Sequence, residues 1–192
     1  MTTNDENKNE NKNENNADFN VLVLSDTHGN TVPIHQLLKS YNGTISAVVH
    51  LGDHARDMLR FTNAEQQEYQ KESQKTIEYH VTNGNTDPMV DILEERVIQL
   101  NGKQIFITHG HRYNVKTQLD SLVHRATKLK VAACLFGHTH IPTAFTQNNI
   151  LFFNPGSITF PAQGTERGYG MLRISENITG KLLTYREPAW NL

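Results

Sequence analysis

Five short clusters of polar residues carry the chemistry of this sequence. They are Ser25-Asp-Thr-His-Gly-Asn30, Leu51-Gly-Asp53, Asn83-Gly-Asn-Thr-Asp87, Thr108-His-Gly-His111 and Gly137-His-Thr-His140. Together they offer carboxylates, imidazoles and amide carbonyls, a donor set suited to borderline divalent cations such as Mn, Fe, Co, Ni or Zn. Thiolate is absent from all of them, which argues against a structural zinc site of the cysteine type. Asp26 and His28 are alternate residues, as are His138 and His140. In extended backbone at a strand end, alternate side chains share a face, so each pair could point at one region. Two cations about 4 Å apart repel one another and need a bridging carboxylate. Asp53, with Gly52 beside it leaving room for the backbone, is the natural candidate.

Each fragment alone has an ordinary explanation. Asp-x-His at a strand end is more often a hydrogen-bonding turn than a ligand pair, and Gly-Asp is a common turn dipeptide. The signal is their joint occurrence, because each cluster directly follows an apolar segment. The segment from Phe19 to Ser25 reads as a strand covered on both faces, because Val21-Leu-Val-Leu24 is continuously apolar. A helix is predicted over Thr31 to Tyr41, with Pro33 in its first turn and Asn42-Gly43 as its stop. Ile45 to His50 and Ile77 to Val81 read as strands, and Asp57 to Gln74 as a polar surface helix. Arg96 to Leu100 and Lys103 to Thr108 flank Asn101-Gly102, a hairpin signal. A helix is predicted over Val115 to Lys130 and a strand over Val131 to Phe136. Thr143 to Thr146 and Ile150 to Phe153 are expected to be strands. A last hairpin, Gly170 to Ile174 with Lys181 to Tyr185, is expected around Asn177-Ile-Thr-Gly180. Two stacked mixed sheets with helices outside would cover both sets of apolar strands. Ligands bind beyond the carboxyl ends of strands in open α/β sheets, which is where all five clusters fall.

The order Asp-x-His, Gly-Asp, Gly-Asn-x-Asp, His, Gly-His-x-His resembles the calcineurin-like metallophosphoesterase superfamily. Ser25-Asp-Thr-His-Gly-Asn30 and Asn154-Pro-Gly-Ser157 are similar to its small bacterial and archaeal phosphodiesterase branch. The resemblance covers about residues 19 to 187. It implies an α/β fold, a four-layer α-β-β-α sandwich with two stacked mixed sheets. It also implies a hydrolase with two divalent ions, of which manganese is favoured, and attack on phosphorus by a hydroxide bridging the ions. In that scheme Asp26, His28 and His140 hold one ion, Asn85, His109 and His138 hold the other, and Asp53 bridges them. Asn30 is expected to contact phosphate or support a ligand, and Asp87 to accept hydrogen bonds behind the ligands. Thr86 departs from the pattern, since several members carry His there to assist the leaving group. A threonine hydroxyl is no general acid near neutral pH, which places phosphomonoesters and poor leaving groups in doubt. His111, two residues past His109, is the substitute candidate for proton donation or phosphate contact, and Asn85 and His111 are the candidate catalytic residues.

The chain has 192 residues and a formal net charge of -2, which fits one domain and gives no basic field favouring nucleic acid. Residues 1–16 are a low-complexity tail of Asn, Glu, Lys and Asp, expected to be disordered; residues 17–192 form the expected domain. The single cysteine, Cys134, lies in an apolar run and reads as a buried small hydrophobe. No apolar stretch approaches the roughly 18 residues of a membrane span, and the N-terminus has no apolar leader, so the expected location is the cytoplasm. The expected partner is a small phosphodiester substrate. A metal-dependent nuclease is an alternative, as is a non-catalytic protein-binding module of the same fold. Among the other histidines, His50 and His80 sit in strands and read as interior residues, and His35 and His124 as helix-surface residues. His54 is divided between site rim and solvent.

Overall fold

The computed structural model describes residues 19–41, 43–59, 76–88 and 91–187. The expected disordered tail and most of the helix expected over Asp57 to Gln74 lie outside these residues; residues 55–59 are helical. Among the described residues, ten strands form two five-stranded sheets. The first has the order β10(Ile178–Thr184), β9(Gly168–Ile174), β1(Phe19–Leu24), β2(Ala47–His50), β3(Glu78–Val81). Strands β1, β2 and β3 run parallel, and β9 is antiparallel to both β1 and β10. The second sheet has the order β4(Glu95–Leu100), β5(Lys103–Thr108), β6(Ala133–Leu135), β8(Ile150–Asn154), β7(Thr143–Gln147). Its β5, β6 and β8 are parallel, flanked by antiparallel β4 and β7.

Alternation along the strands assigns the layers. Val21 and Val23 of β1, with Ala47 and Val49 of β2, pack against Ile105, Ile107, Ala133, Leu135 and Phe153 of the second sheet. Leu22, Leu24 and Val48 point the other way, onto Ile34, Leu37 and Leu38 of helix α1(Val32–Ser40). On the second sheet, Phe106, Cys134 and Phe152 face outward onto Leu122 and Ala126 of helix α2(Asp120–Leu129). Three apolar seams thus separate four layers, α-β-β-α, the architecture implied by the motif order. Buried on both faces, the central strands read as unbroken apolar runs.

The two sheets are keyed together by Phe153. A Cβ on Gly170 would lie 2.2 Å from its ring, and one on Gly180 would lie 2.7 Å from the opposite edge. Both glycines belong to the first sheet, so their missing side chains form the notch that accepts this ring. Gly180 is therefore a strand residue. The last hairpin turns earlier than expected: Ile178 already pairs with Ile174, and the Ser175 N–H donates to the Asn177 carbonyl at 3.0 Å.

The second helix is shorter than the apolar spacing predicts. Residues His111–Tyr113 form a 3-10 turn, and Asn114 takes a left-handed φ of 52°. The Thr117 and Gln118 N–H groups both return to the Asn114 carbonyl, so regular helix starts only at Asp120. Val115 still reaches the apolar seam, which is why the pattern extended too far toward the N-terminus. Among the described residues, no helix is long and apolar enough to cross a membrane.

Phe153→Ala should lower the unfolding free energy by about 3–5 kcal/mol, the usual cost of emptying a fully buried aromatic site. Urea denaturation checks this; a loss below about 1 kcal/mol would mean that the glycine notch does not hold the sheets in register.

Candidate metal centre

The five polar clusters meet at one edge of the sandwich. One ligand atom from each of Asp26, His28, Asp53 and His140 lies within 4.8 Å of the others. His140 Nε2 is 3.0 Å from Asp26 Oδ1, and His28 Nε2 is 3.8 Å from Asp53 Oδ2. The other oxygen of Asp53, Oδ1, is 3.4 Å from His109 Nε2, which is 4.0 Å from Asp26 Oδ1. His109 Nε2 in turn lies 3.1 Å from His138 Nδ1. The two oxygens of Asp53 therefore face different histidines, one toward the group of Asp26, His28 and His140 and one toward His109 and His138. Asn85 sits at the exposed rim, joined to this group through its neighbour: the Thr86 N–H donates to Asp53 Oδ1 at 3.0 Å.

Backbone contacts set the histidine tautomers. His109 Nδ1 donates to the Leu51 carbonyl at 2.7 Å, and His140 Nδ1 donates to the Phe160 carbonyl. In their neutral forms both rings must then present an unprotonated Nε2 to the site, the orientation a metal requires. His28 Nε2 is buried with no hydrogen-bond partner among the described residues, and buried Asp26 Oδ1 has only the nearby Nε2 of His140 to compensate it. Unpaired buried polar atoms are costly, and here they face one another across a nitrogen–oxygen donor set. The site fits a divalent cation on that ground.

Electrostatics point the same way. Burial alone would raise the Asp26 pKa, but the His140 hydrogen bond and the charges of His109 and His140 together hold it below its ordinary value. The hydrogen bond to Asp26 raises His140 against the effect of burial. Burial lowers His28, and burial followed by the charges of His109 and Lys116 lowers His138 to about 4. Neutral imidazoles beside an ionised carboxylate are the protonation states that ligate metals.

The backbone at the site differs from the extended strand ends inferred from residue spacing. Asp26, His28, Asp53, His138 and His140 have φ of 57°, 47°, 57°, 67° and 59°. Left-handed conformation is uncommon for residues other than glycine and collects at functional sites. The paired residues thus converge through tight turns rather than through strand alternation. Two glycines make the close approach feasible: a Cβ on Gly84 would lie 2.2 Å from Asp53 Oδ1, and one on Gly137 would lie 2.1 Å from Ser25 Oγ.

The superfamily's domain description, "Calcineurin-like phosphoesterase superfamily domain", matches residues 19–177. The chain belongs to the calcineurin-like phosphoesterase superfamily. It is 27% identical over 158 residues to a probable metallophosphoesterase, YsnB, of Bacillus subtilis, covering 82% of this chain and 86% of that protein. The crystal structure of a conserved protein of Streptococcus pneumoniae, described as a predicted phosphoesterase, superposes with a TM-score of 0.71 at 30% identity, covering 88% of this chain and 90% of that one. Over 80 residues, 39% of this chain and 37% of the relative, it is 35% identical to the phosphodiesterase YfcE of Escherichia coli.

The remaining candidates occupy different places. Asp87 accepts the Ala55 N–H and the Gly84 N–H, both at 2.7 Å, and so ties the Asp53 loop to the Asn85 loop. The side-chain carbonyl of Asn30 accepts the Val32 N–H at 3.2 Å, in a turn that starts helix α1. His111 has its ring 5.5 Å from that of His109 and 6.1 Å from that of His138. Its Nε2 is 3.9 Å from Glu94, and burial lowers its pKa. His54 lies on the rim, its ring 5.7 Å from that of His28.

Sequence reading missed the frame behind the ligands. Asp57, assigned to a polar surface helix, is buried and accepts Thr27 Oγ1 at 2.7 Å and the Gly29 N–H at 2.9 Å. His50 accepts the Gly52 N–H at Nδ1, so its Nε2 carries the proton and donates to Thr27 Oγ1 at 3.1 Å. This chain fixes the loop that carries Asp26 and His28. Asn154 donates to the Gly137 carbonyl and to Thr139 Oγ1, both at 2.9 Å, and Ser157 Oγ donates to the Asp26 carbonyl at 2.9 Å. No local pattern in the sequence marks Asp57, because its partners Thr27 and Gly29 lie about thirty residues away in the chain.

Burial lowers the His50 pKa from 6.5 to about 4. The unfolded chain therefore binds the extra proton first, and the native state loses stability as pH falls through that window. His50 should account for a loss on the order of 2–3 kcal/mol between about pH 7 and pH 4.5. Urea denaturation in chelator should show His50→Gln losing correspondingly less than wild type. Equal pH slopes for the two proteins would remove His50 from the account.

Proposed function

We propose that this chain is a dinuclear metal-dependent phosphodiesterase that hydrolyses small phosphodiesters. The observation that carries the reading is Asp53, whose two carboxylate oxygens face His28 on one side and His109 on the other. On this reading Asp26, His28 and His140 hold one ion, Asn85, His109 and His138 the other, and Asp53 both. Two divalent cations there would supply Lewis acidity, activating water and neutralising charge on the phosphoryl oxygens.

The chain's own residues orient and hold. The Leu51 and Phe160 carbonyls hold Nδ1 of His109 and His140, so that Nε2 faces inward and is the unprotonated nitrogen of each neutral ring. Thr86 contributes its backbone N–H to Asp53, and its own side chain is no acid. His111 has a lowered pKa from burial and is neutral near pH 7, so it suits hydrogen bonding better than proton delivery. A site without a strong acid favours esters whose alcohol departs readily as an anion. The phosphodiesterase YfcE is similar over part of this chain, which supports a diester substrate.

Manganese-loaded wild type should hydrolyse bis(p-nitrophenyl) phosphate, and Asp53→Asn should lower kcat/KM by about 100-fold or more, as expected when a shared ligand is lost. Asp53→Asn turning over at the wild-type rate would exclude the bridging role. Cleavage of plasmid DNA in preference to small diesters would favour the nuclease alternative. Absence of turnover and of bound metal with Mn, Ni, Co and Zn alike would favour a binding module.

A further inference from the structure

Beside the metal cluster stands an aromatic side chain that the mechanism above does not use. Phe160 is 58% exposed, and its ring centroid lies 5.3 Å from that of His28 at an interplanar angle of 59°. Its backbone is held from both directions. The Phe160 N–H donates to Ser157 Oγ at 2.8 Å, and its carbonyl accepts from His140 Nδ1. Ser157 Oγ in turn donates to the Asp26 carbonyl. The backbone that orients one candidate ligand and braces another therefore also fixes where this ring stands.

A single exposed apolar residue is ordinary on a protein surface. Phe160 differs in two respects: its ring stands against a candidate ligand, and its backbone is hydrogen-bonded at both N–H and carbonyl. Ile141, 48% exposed, directly follows His140, and the Ala162 N–H closes onto the His140 carbonyl at 3.2 Å. Elsewhere around the site, Glu94 pairs with Arg112 beside His111, and the positive charge of Lys116 acts on His138 and His140. A phosphoester seated among Asp26, His28 and Asp53 would direct one substituent over the Phe160 ring.

We propose that Phe160 is a specificity-determining residue: a stacking platform for a flat aromatic group esterified to the phosphate. The substrate class is a phosphoester bearing an aromatic substituent, either an aryl group bonded directly to the ester oxygen or a nucleobase. This deepens the phosphodiesterase reading and rests on it for the seat of the phosphate. It also agrees with the missing acid at Thr86, because aryl oxides leave without protonation more readily than alkoxides.

The test is calorimetric binding of phenyl phosphate, adenosine 5′-monophosphate and methyl phosphate to the full chain loaded with manganese. Wild type should bind at least one aromatic ester more tightly than methyl phosphate. In Phe160→Ala that preference should fall by about three- to tenfold, the range expected for loss of an aromatic pair. Phe160→Trp should keep it, and metal content should match wild type in both variants, since the substitutions retain the backbone carbonyl that orients His140. Loss confined to phenyl phosphate identifies an aryl ester, and loss confined to adenosine 5′-monophosphate identifies a nucleobase. No aromatic preference in wild type, or the same preference in Phe160→Ala, would overturn the platform. Turnover of bis(p-nitrophenyl) phosphate by wild type, measured in parallel, separates the two ideas. Turnover with an unchanged preference overturns the platform alone. A Phe160-dependent preference without turnover on any ester supports the platform and overturns the phosphodiesterase reading.

Discussion

Two carboxylates, Asp26 and Asp53, are held out of water in one small volume, at 0% and 3% exposure. Among the described residues, the ion-pair partners of both are histidines, and none is a lysine or arginine. Buried carboxylates so close together repel, and each loses its hydration. Histidines relieve this only in part: the hydrogen bond to Asp26 raises His140, but burial lowers both His28 and His138. A divalent cation would resolve the conflict, because it would compensate both carboxylates and take the lone pairs of neutral imidazoles. The loops that carry Asp26 and Asp53, with their left-handed backbone and close-fitting glycines, hold this arrangement in place.

Such an arrangement is stable only on a stiff support, and the sandwich provides it. The parallel strands β1, β2 and β3 deliver the first three clusters side by side, and β5 and β6 of the second sheet deliver the histidine clusters. Behind the ligands, the His50–Thr27–Asp57 chain braces one loop and Asp87 joins two others. The Asn154-to-Ser157 turn fastens the second sheet's histidine loop to the first sheet's Asp26. Each brace satisfies backbone donors or acceptors that would otherwise be buried and unpaired, so the same bonds serve stability and ligand geometry.

Much of this was legible in the sequence, for a physical reason. Strands buried on both faces must be apolar throughout, so polar residues can appear only where each strand ends, and Asp26, Asp53, His109 and His138 stand out for that reason. The path of the backbone was not legible. Asp-x-His and His-x-His spacing suits an extended segment and a left-handed turn equally, and only the turn is present. Asp57 was hidden because a carboxylate among polar residues looks solvated, although it faces Thr27 and Gly29. Phe160 went unnoticed because an aromatic after Asn154-Pro-Gly-Ser157 resembles a core residue until its exposure is known. The early end of the β9–β10 turn followed from Phe153, a partner on another sheet that no local pattern records.

The central claim is that Asp53 is shared by two cations. A crystal grown with manganese and recorded at the manganese absorption edge tests it directly. Two anomalous peaks should flank Asp53, one against Asp26, His28 and His140 and the other against Asn85, His109 and His138. A single peak, or peaks that leave Asp53 without a contact, would contradict it.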